Sequence, residues 1–322
     1  ILRSTFGEDT INHYTYVLHG DGDIQEPVAQ GAIALAGHWG LGKLIAYYDS
    51  NDAQISGKVS RSDSTNYEKM YKSHGWQVIN IDGHNRDDIR SAIRQAQMEY
   101  EKPTVIIGKT IMAKGCATME GDHNTHGSPL PPEEISASKE KLGLNPNKFF
   151  QLPDDVINEF RSSYNYSREE VKAWKFNLNK RLKNNVFKTN WEMAINDEIP
   201  KIKWPYFEPN QQVATRKVWG SVIESLAPQK NTLVGGSADL EPSNVTVGFA
   251  KMVSDFTKNN FSGRNFAYGV REFPMGTINN GIALHGGLKV FGATFFVFSD
   301  YERPAIRLRA LQNLPVISEY TH

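Results

Sequence analysis

The residues best suited to chemistry fall in four short stretches. In the first, His13 to Pro27, polar and apolar residues alternate through Tyr14-Thr15-Tyr16-Val17-Leu18 as in a β-strand, and the alternation breaks at Gly20-Asp21-Gly22. Glycines let backbone approach a ligand closely, and the carboxylate between them is a hard oxygen donor for Mg²⁺ or Ca²⁺. The same tripeptide is also an ordinary turn. Asn51 follows the next strand. In an open α/β sheet the carboxyl ends of neighbouring strands line one crevice, so Asp21 and Asn51 can bring a carboxylate and an amide oxygen onto one cation. Mg²⁺ commonly shares its shell with phosphate oxygens, so a diphosphate suits such a site. The alternative is that Asn51 starts a turn.

Glu272 stands in Gly269-Val270-Arg271-Glu272-Phe273, between an expected strand and an expected helix. A carboxylate there either caps the helix N-terminus or is a partly buried acid that exchanges a proton with a bound heterocycle. Thr294-Phe295-Phe296-Val297-Phe298-Ser299-Asp300-Tyr301 is an aromatic-rich strand end, fitted to core packing or to stacking a flat heteroaromatic ring. His123 and His126 lie in the long loop Lys114 to Leu130 with Gly115 and Gly121, and loops of this length are usually functional.

Positioning these groups requires parallel sheets, and the pattern supplies them. After the first strand come a helix from Val28 to Trp39 with Pro27 in its first turn, a buried strand Lys43 to Tyr48, and a polar loop Asp49 to Asp52. A helix near Asn66 to His74, a strand Trp76 to Ile81, a helix Arg86 to Tyr100 and a strand Thr104 to Lys109 follow. From about Pro131 the chain turns to charged helices broken by prolines (Pro132, Pro146, Pro153, Pro200, Pro205, Pro209), and the alternation stops. It resumes near Gln212. A helix Ala214 to Leu226, a strand Asn231 to Gly235, a helix to about Asp255, a strand Asn265 to Gly269, a Gly-rich helix Met275 to His285, a strand Val290 to Phe298, a helix Arg303 to Leu311 and a strand Leu314 to Tyr320 are expected. The fold class is α/β, with two open, mostly parallel sheets covered by helices, over 1–144 and 211–322, joined by a helical linker over 145–210.

Composition narrows the partners. The 322 residues hold 36 Lys plus Arg against 36 Asp plus Glu, which leaves no basic field for nucleic acid. No apolar run of about 18 residues marks a membrane span. A single cysteine, Cys116, excludes an internal disulfide and suits a reducing, cytoplasmic compartment. The chain opens on Ile1 without a secretory pattern, so a start inside a longer protein is expected.

The series GDGDIQEP, LAGH, YDSN, HNTHG, TRK, GGSADLEPSN, YGVREFPMG and TFFVFSDY, in that order, resembles the transketolase family from about residue 11 to 322, most weakly through 145–210. The resemblance implies a thiamine diphosphate-binding fold and transfer of a two-carbon ketol unit from a ketose phosphate to an aldose phosphate. By matching positions, Asp21, Asn51 and the backbone oxygen of Ala53 correspond to the metal ligands for Mg²⁺, with Ca²⁺ or Mn²⁺ as alternatives, and Gly20 and Gly22 flank the diphosphate. His126 corresponds to a histidine that meets cofactor and donor sugar. Glu272 corresponds to the acid that protonates the cofactor's pyrimidine ring, and Phe298 to the aromatic stacked on that ring, with Phe295 and Tyr301 lining the pocket. Asp239 matches a position near the cofactor at the subunit interface, and Arg216 and Ser243 match residues that grip the acceptor's phosphate. A homodimer follows, because family members build each active site from two subunits.

Three positions depart from the family pattern: Pro27 stands for a usual Gly, Gly31 for a Glu of the acidic cluster linking the two active sites, and Ser56 for an Asp. Family members are also roughly twice as long, which implies that both sheets are truncated and that the isolated chain turns over slowly. A dihydroxyacetone synthase or deoxyxylulose phosphate synthase is the alternative enzyme, and a noncatalytic binding or dimerisation module the alternative of another class.

Overall fold

Short apolar strands alternating with amphipathic helices build two parallel sheets, each in its own unit of a computed structural model that describes residues 1–199 and 201–322. Pro200, one of the prolines expected to break the linker, lies outside the described residues. One unit comprises His13–Ala173, and the other Ile1–Asn12 with Trp174–His322. Helix α1 (Leu2–Phe6) belongs to the latter.

In the His13–Ala173 unit, β1 (Thr15–Gly20) passes directly into α2 (Asp21–Gln25) and α3 (Pro27–His38), and β2 (Leu44–Ser50) returns beside it. A small hairpin, β3 (Ala53–Gln54) and β4 (Gly57–Lys58), precedes α4 (Tyr67–Ser73), β5 (Gln77–Asp82), α5 (Arg86–Gln97) and β6 (Thr104–Lys109). The strand order is β1-β2-β6-β5, all parallel. Helix α5 starts where Asn85 Oδ1 accepts the amides of Asp87 and Asp88, and its Ala92 and Ala96 face the sheet. One face of the sheet buries Ile24, Ile33, Ala36, Tyr48, Tyr71, Trp76, Val105 and Ile107, each large apolar side chain contributing about 1.5–3 kcal/mol. At the edge, β1 leaves Tyr16, Val17 and Leu18 exposed, Leu18 to 82%. The polar loop expected over Asp49 to Asp52 starts two residues later than read, because Asp49 and Ser50 still pair with Gly108 and Lys109 of β6. Helix α6 (Pro132–Lys141) follows, and α7 (Asp154–Arg181) starts in this unit and runs on past Ala173.

The second unit begins with α1, whose Phe6 ring meets Phe187 and Trp191 of α8 (Asn185–Ile195) edge-on at 5.8 and 5.2 Å. Then come α9 (Thr215–Leu226), β7 (Leu233–Ser237), α10 (Glu241–Asn244), α11 (Val247–Val253), α12 (Glu272–His285), β8 (Lys289–Phe295), α13 (Ser299–Leu311) and β9 (Ile317–Thr321). The sheet is β7-β8-β9, parallel.

Several expected elements shift here. Asn265 to Gly269 is not a strand but touches β7 through a single bridge at Gly235, with Phe266 N donating to Gly235 O at 2.8 Å. The approach is so close that a Cβ on Gly236 would sit 2.0 Å from Phe266 O. Tyr268 then turns inward to bond Asn279 Oδ1 at 2.6 Å, and Gly269 (φ 65) leads the chain away, so no ladder continues. The strand expected through Phe298 ends at Phe295 in a 3₁₀ turn, Phe296–Phe298, and the last strand starts at Ile317 rather than Leu314. Helix α12 begins three residues before Met275, which makes Glu272 its first residue.

Candidate functional site

Because β1 runs straight into α2, Asp21 is held at the strand's carboxyl end, 5% exposed. Asp21 Oδ2 accepts the Asn51 amide at 3.2 Å, and Tyr48 OH donates to Asp21 Oδ1. Asn51 Oδ1 accepts the Ala53 amide at 3.0 Å, while its Nδ2 donates to Asp49 Oδ2 at 3.2 Å. Asp21, Asn51 and Ala53 therefore converge at the ends of two adjacent parallel strands. Their donor set is one carboxylate, one amide oxygen and one peptide carbonyl, all hard oxygens of the kind that Mg²⁺ and Ca²⁺ take. Among the described residues no cluster of three or more His, Cys, Asp or Glu competes for a softer metal. A Cβ at Gly22 would meet no atom within 4 Å, so backbone beside Asp21 stays open to a ligand. These residues fit a cation carrying a diphosphate. Burial, reinforced by the bond to Asp21, pushes the Tyr48 phenol well above its ordinary pKa, so it remains a donor.

Asp21, Tyr48, Ser50, Asp52 and Lys109 line a cavity of about 480 Å³. His126 opens on a different one, of about 340 Å³, with Met112, Lys114, Cys116 and Ser128. Its 3₁₀ turn, His123–Thr125, packs on β4, so the histidine loop reaches the Ala53 hairpin without entering the Asp21 cavity. The loop is anchored by buried Glu134, whose carboxylate accepts Thr118 N at 2.8 Å, Thr118 Oγ1 at 2.7 Å and Met119 N at 3.2 Å.

In the second unit, Glu272 is 8% exposed at the start of α12. It is the acidic residue of the helix's first turn, where the helix dipole favours a carboxylate, and among the described residues no hydrogen bond to its side chain is made. Helix α13 bonds α12 through Arg309 Nε, which donates to Asn280 Oδ1 at 3.1 Å, and carries a buried ion pair, Glu302 to Arg309 at 2.8 Å, with Tyr320 OH on the other oxygen at 2.9 Å. A Cβ on Gly276 of α12 would fall 2.7 Å from Glu302. Phe295 and Phe298 stack at 5.6 Å and 22°, and Tyr301, largely exposed, lies 6.0 Å from Phe298. Arg216, at the start of α9, bonds the His322 ring, which packs edge-on against Phe295 at 4.8 Å. Asp239 is exposed in a left-handed conformation (φ 62), and Ser243 sits in α10. Next to Ser243, Asn244 is fully buried, accepting Ser237 Oγ at 2.7 Å and donating to Thr321 Oγ1 at 2.8 Å.

Sequence reading missed Tyr48, Asn244, Glu302 and Arg309. Tyr48 passes for one more apolar strand residue, and no local pattern marks the other three: Asn244 reaches Thr321 far along the chain, and Glu302 and Arg309 pair two turns apart on α13 with Tyr320 of β9 on the carboxylate.

Residues 3–200 match the family described as transketolase, thiamine diphosphate binding domain, and residues 211–322 match transketolase, pyrimidine binding domain. The chain belongs to the transketolase family. It is 41% identical over its whole length to the transketolase of Bacillus subtilis, of which it covers 49%. The crystal structure of transketolase from Campylobacter jejuni superposes with a TM-score of 0.91 at 36% identity, covering 100% of this chain and 49% of that one. A transketolase from Pichia stipitis in complex with sedoheptulose-7-phosphate gives 0.93 at 33% identity, covering 98% and 49%. The chain thus spans about half the length of the transketolases it matches, and it carries the family's thiamine diphosphate binding fold.

Proposed function

We propose that this chain carries the cofactor and metal site of a transketolase, which moves a two-carbon ketol unit from a ketose phosphate such as xylulose 5-phosphate to an aldose phosphate such as ribose 5-phosphate or erythrose 4-phosphate, in the non-oxidative pentose phosphate pathway. The observation that carries the reading is the convergence of Asp21 and Asn51, whose backbone N–H donates to Asp21 Oδ2 at 3.2 Å, beside the open backbone of Gly22.

Thiamine diphosphate, when bound, would supply a carbon nucleophile for the ketol unit. Asp21, Asn51 and the Ala53 carbonyl would hold Mg²⁺, or Ca²⁺ or Mn²⁺ through the same donors, while Gly20 and Gly22 would admit the diphosphate. Glu272, buried at the start of α12, would be the acid that meets the cofactor's pyrimidine ring. The stacked pair Phe295 and Phe298, with Tyr301, offers that ring an aromatic face, and Asp239 lies beside it. His126 orients the donor sugar, and Arg216 and Ser243 bind the acceptor's phosphate. The division 1–144, 145–210 and 211–322 assigns these tasks to a diphosphate part, a linker and a pyrimidine part. Active sites form between two copies in a homodimer, and a single free cysteine, Cys116, is consistent with a cytoplasmic location.

The test is a coupled assay on xylulose 5-phosphate and ribose 5-phosphate with thiamine diphosphate and Mg²⁺, run on this chain and on the whole gene product. Turnover lost in Glu272→Ala supports the proposal, with low turnover by the chain alone, since it spans half of its relatives. Undiminished turnover in Glu272→Ala contradicts it.

A further inference from the structure

Arg216, Trp219 and Ile223 occupy successive turns of α9. Ile223 is fully buried, Trp219 meets Phe291 of β8 edge-on at 5.5 Å, and Ile317 of β9 packs into the same cluster. Strand side chains alternate between faces, so Glu319 lies on the face of Ile317, two residues nearer the strand's carboxyl end and paired across to Ala293. That places it beneath the first turn of α9, where Arg216 stands. Glu319 Oε2 is shut off from solvent and, among the described residues, accepts no hydrogen bond.

Arg216 is the cation acting on Glu319. The other charged groups packed about β9 are engaged elsewhere: Glu302 and Arg309 bond each other at 2.8 Å and reach the opposite face through Tyr320 and Ser318, and Glu241 of α10 accepts from Asn265 at 3.0 Å. His322, at the end of β9, is the partner of Arg216 itself.

We propose that Glu319 is a positioning residue for Arg216, drawing the guanidinium toward the sheet when ionised and releasing it toward the acceptor's phosphate when neutral. This rests on the assignment of Arg216 to phosphate binding. Burial pushes the Glu319 carboxyl up to about 7, against the pull of Arg216, so the exchange falls in the neutral range. An ionised Glu319 both occupies Arg216 and repels a phosphate, and affinity for a phosphorylated sugar therefore falls as pH rises. The sugar phosphate's own second ionisation, with a pKa of about 6, would alone strengthen binding to arginine over the same range, so the two effects differ in sign.

The experiment is calorimetric titration of ribose 5-phosphate into the chain at pH 6 and pH 8, with ribose as the unphosphorylated control. Wild type is expected to lose affinity by roughly tenfold across this range, and Glu319→Gln, with Glu319→Leu as a second uncharged variant, to hold or gain affinity. If Arg216→Gln binds ribose 5-phosphate like wild type, or if wild type favours it no more than ribose, the phosphate assignment fails and the proposal with it. If Arg216 matters but wild type and both Glu319 variants share one pH profile, the positioning role alone is overturned.

Discussion

Replacing Tyr48 by Phe removes one hydroxyl and leaves the ring where it packs. The ring is 4% exposed, stacks on His19 at 5.0 Å and 14°, and meets Tyr67 edge-on at 5.8 Å, so the substitution opens no cavity of consequence. What disappears is the donor to Asp21 Oδ1, leaving the Asn51 backbone N–H, at 3.2 Å from Oδ2, as the remaining donor to that carboxylate. A hydrogen bond to a charged group contributes about 1.5–3 kcal/mol, and groups that orient a metal ligand typically change metal affinity by about 10- to 100-fold. The expected outcome is a Mg²⁺ dissociation constant raised by about that factor, read by titrating the metal in the presence of thiamine diphosphate, with near-native circular dichroism. Unchanged Mg²⁺ affinity in a folded Tyr48→Phe protein would refute the reasoning that Tyr48 sets the orientation of Asp21.

Other perturbations test separate parts of the structure. Glu272→Gln is expected to lower turnover of the whole gene product by at least about 100-fold, with Mg²⁺ and thiamine diphosphate binding retained by calorimetry. Arg309→Met strands the Glu302 carboxylate, 2% exposed, and is expected to cost about 3–5 kcal/mol in chemical denaturation. Glu319 is held at about 7 in the fold against an ordinary 4.5, so the folded state binds more protons than the unfolded one and stability falls as pH rises from about 4.5 through 7. With the carboxyl partly open to solvent the loss is about 1–2 kcal/mol, and Glu319→Gln is expected to abolish that slope in denaturation curves taken across the range.

The sheets were legible because their strands are short apolar runs between amphipathic helices, and β6 begins and ends at the residues expected, Thr104 and Lys109. The convergence of Asp21 with Asn51 was legible for a topological reason: consecutive parallel strands end at one edge. Boundaries failed where tertiary contacts outweighed local pattern. Asn265 to Gly269 has the composition of a strand, but burying Tyr268 against Asn279 takes the chain off the sheet after a single bridge. Glu272 could be read as a cap or as a buried acid, and its place in the first turn of α12, 8% exposed, is one that both readings share. Tyr48 and Asn244 were invisible because their roles depend on residues brought close by the fold, and the Glu302–Arg309 pair, two turns apart on α13, because its burial and its bonds to Asn280 and Tyr320 do.

The most direct measurement of the metal and diphosphate site is calorimetric titration of thiamine diphosphate into the chain with and without Mg²⁺, repeated on Asp21→Ala. The site described by Asp21, Asn51, Ala53 and Gly22 requires binding that depends on Mg²⁺ in the wild type and is lost or weakened by at least about tenfold in Asp21→Ala. Equal affinity with and without the metal, unchanged by Asp21→Ala, would contradict it.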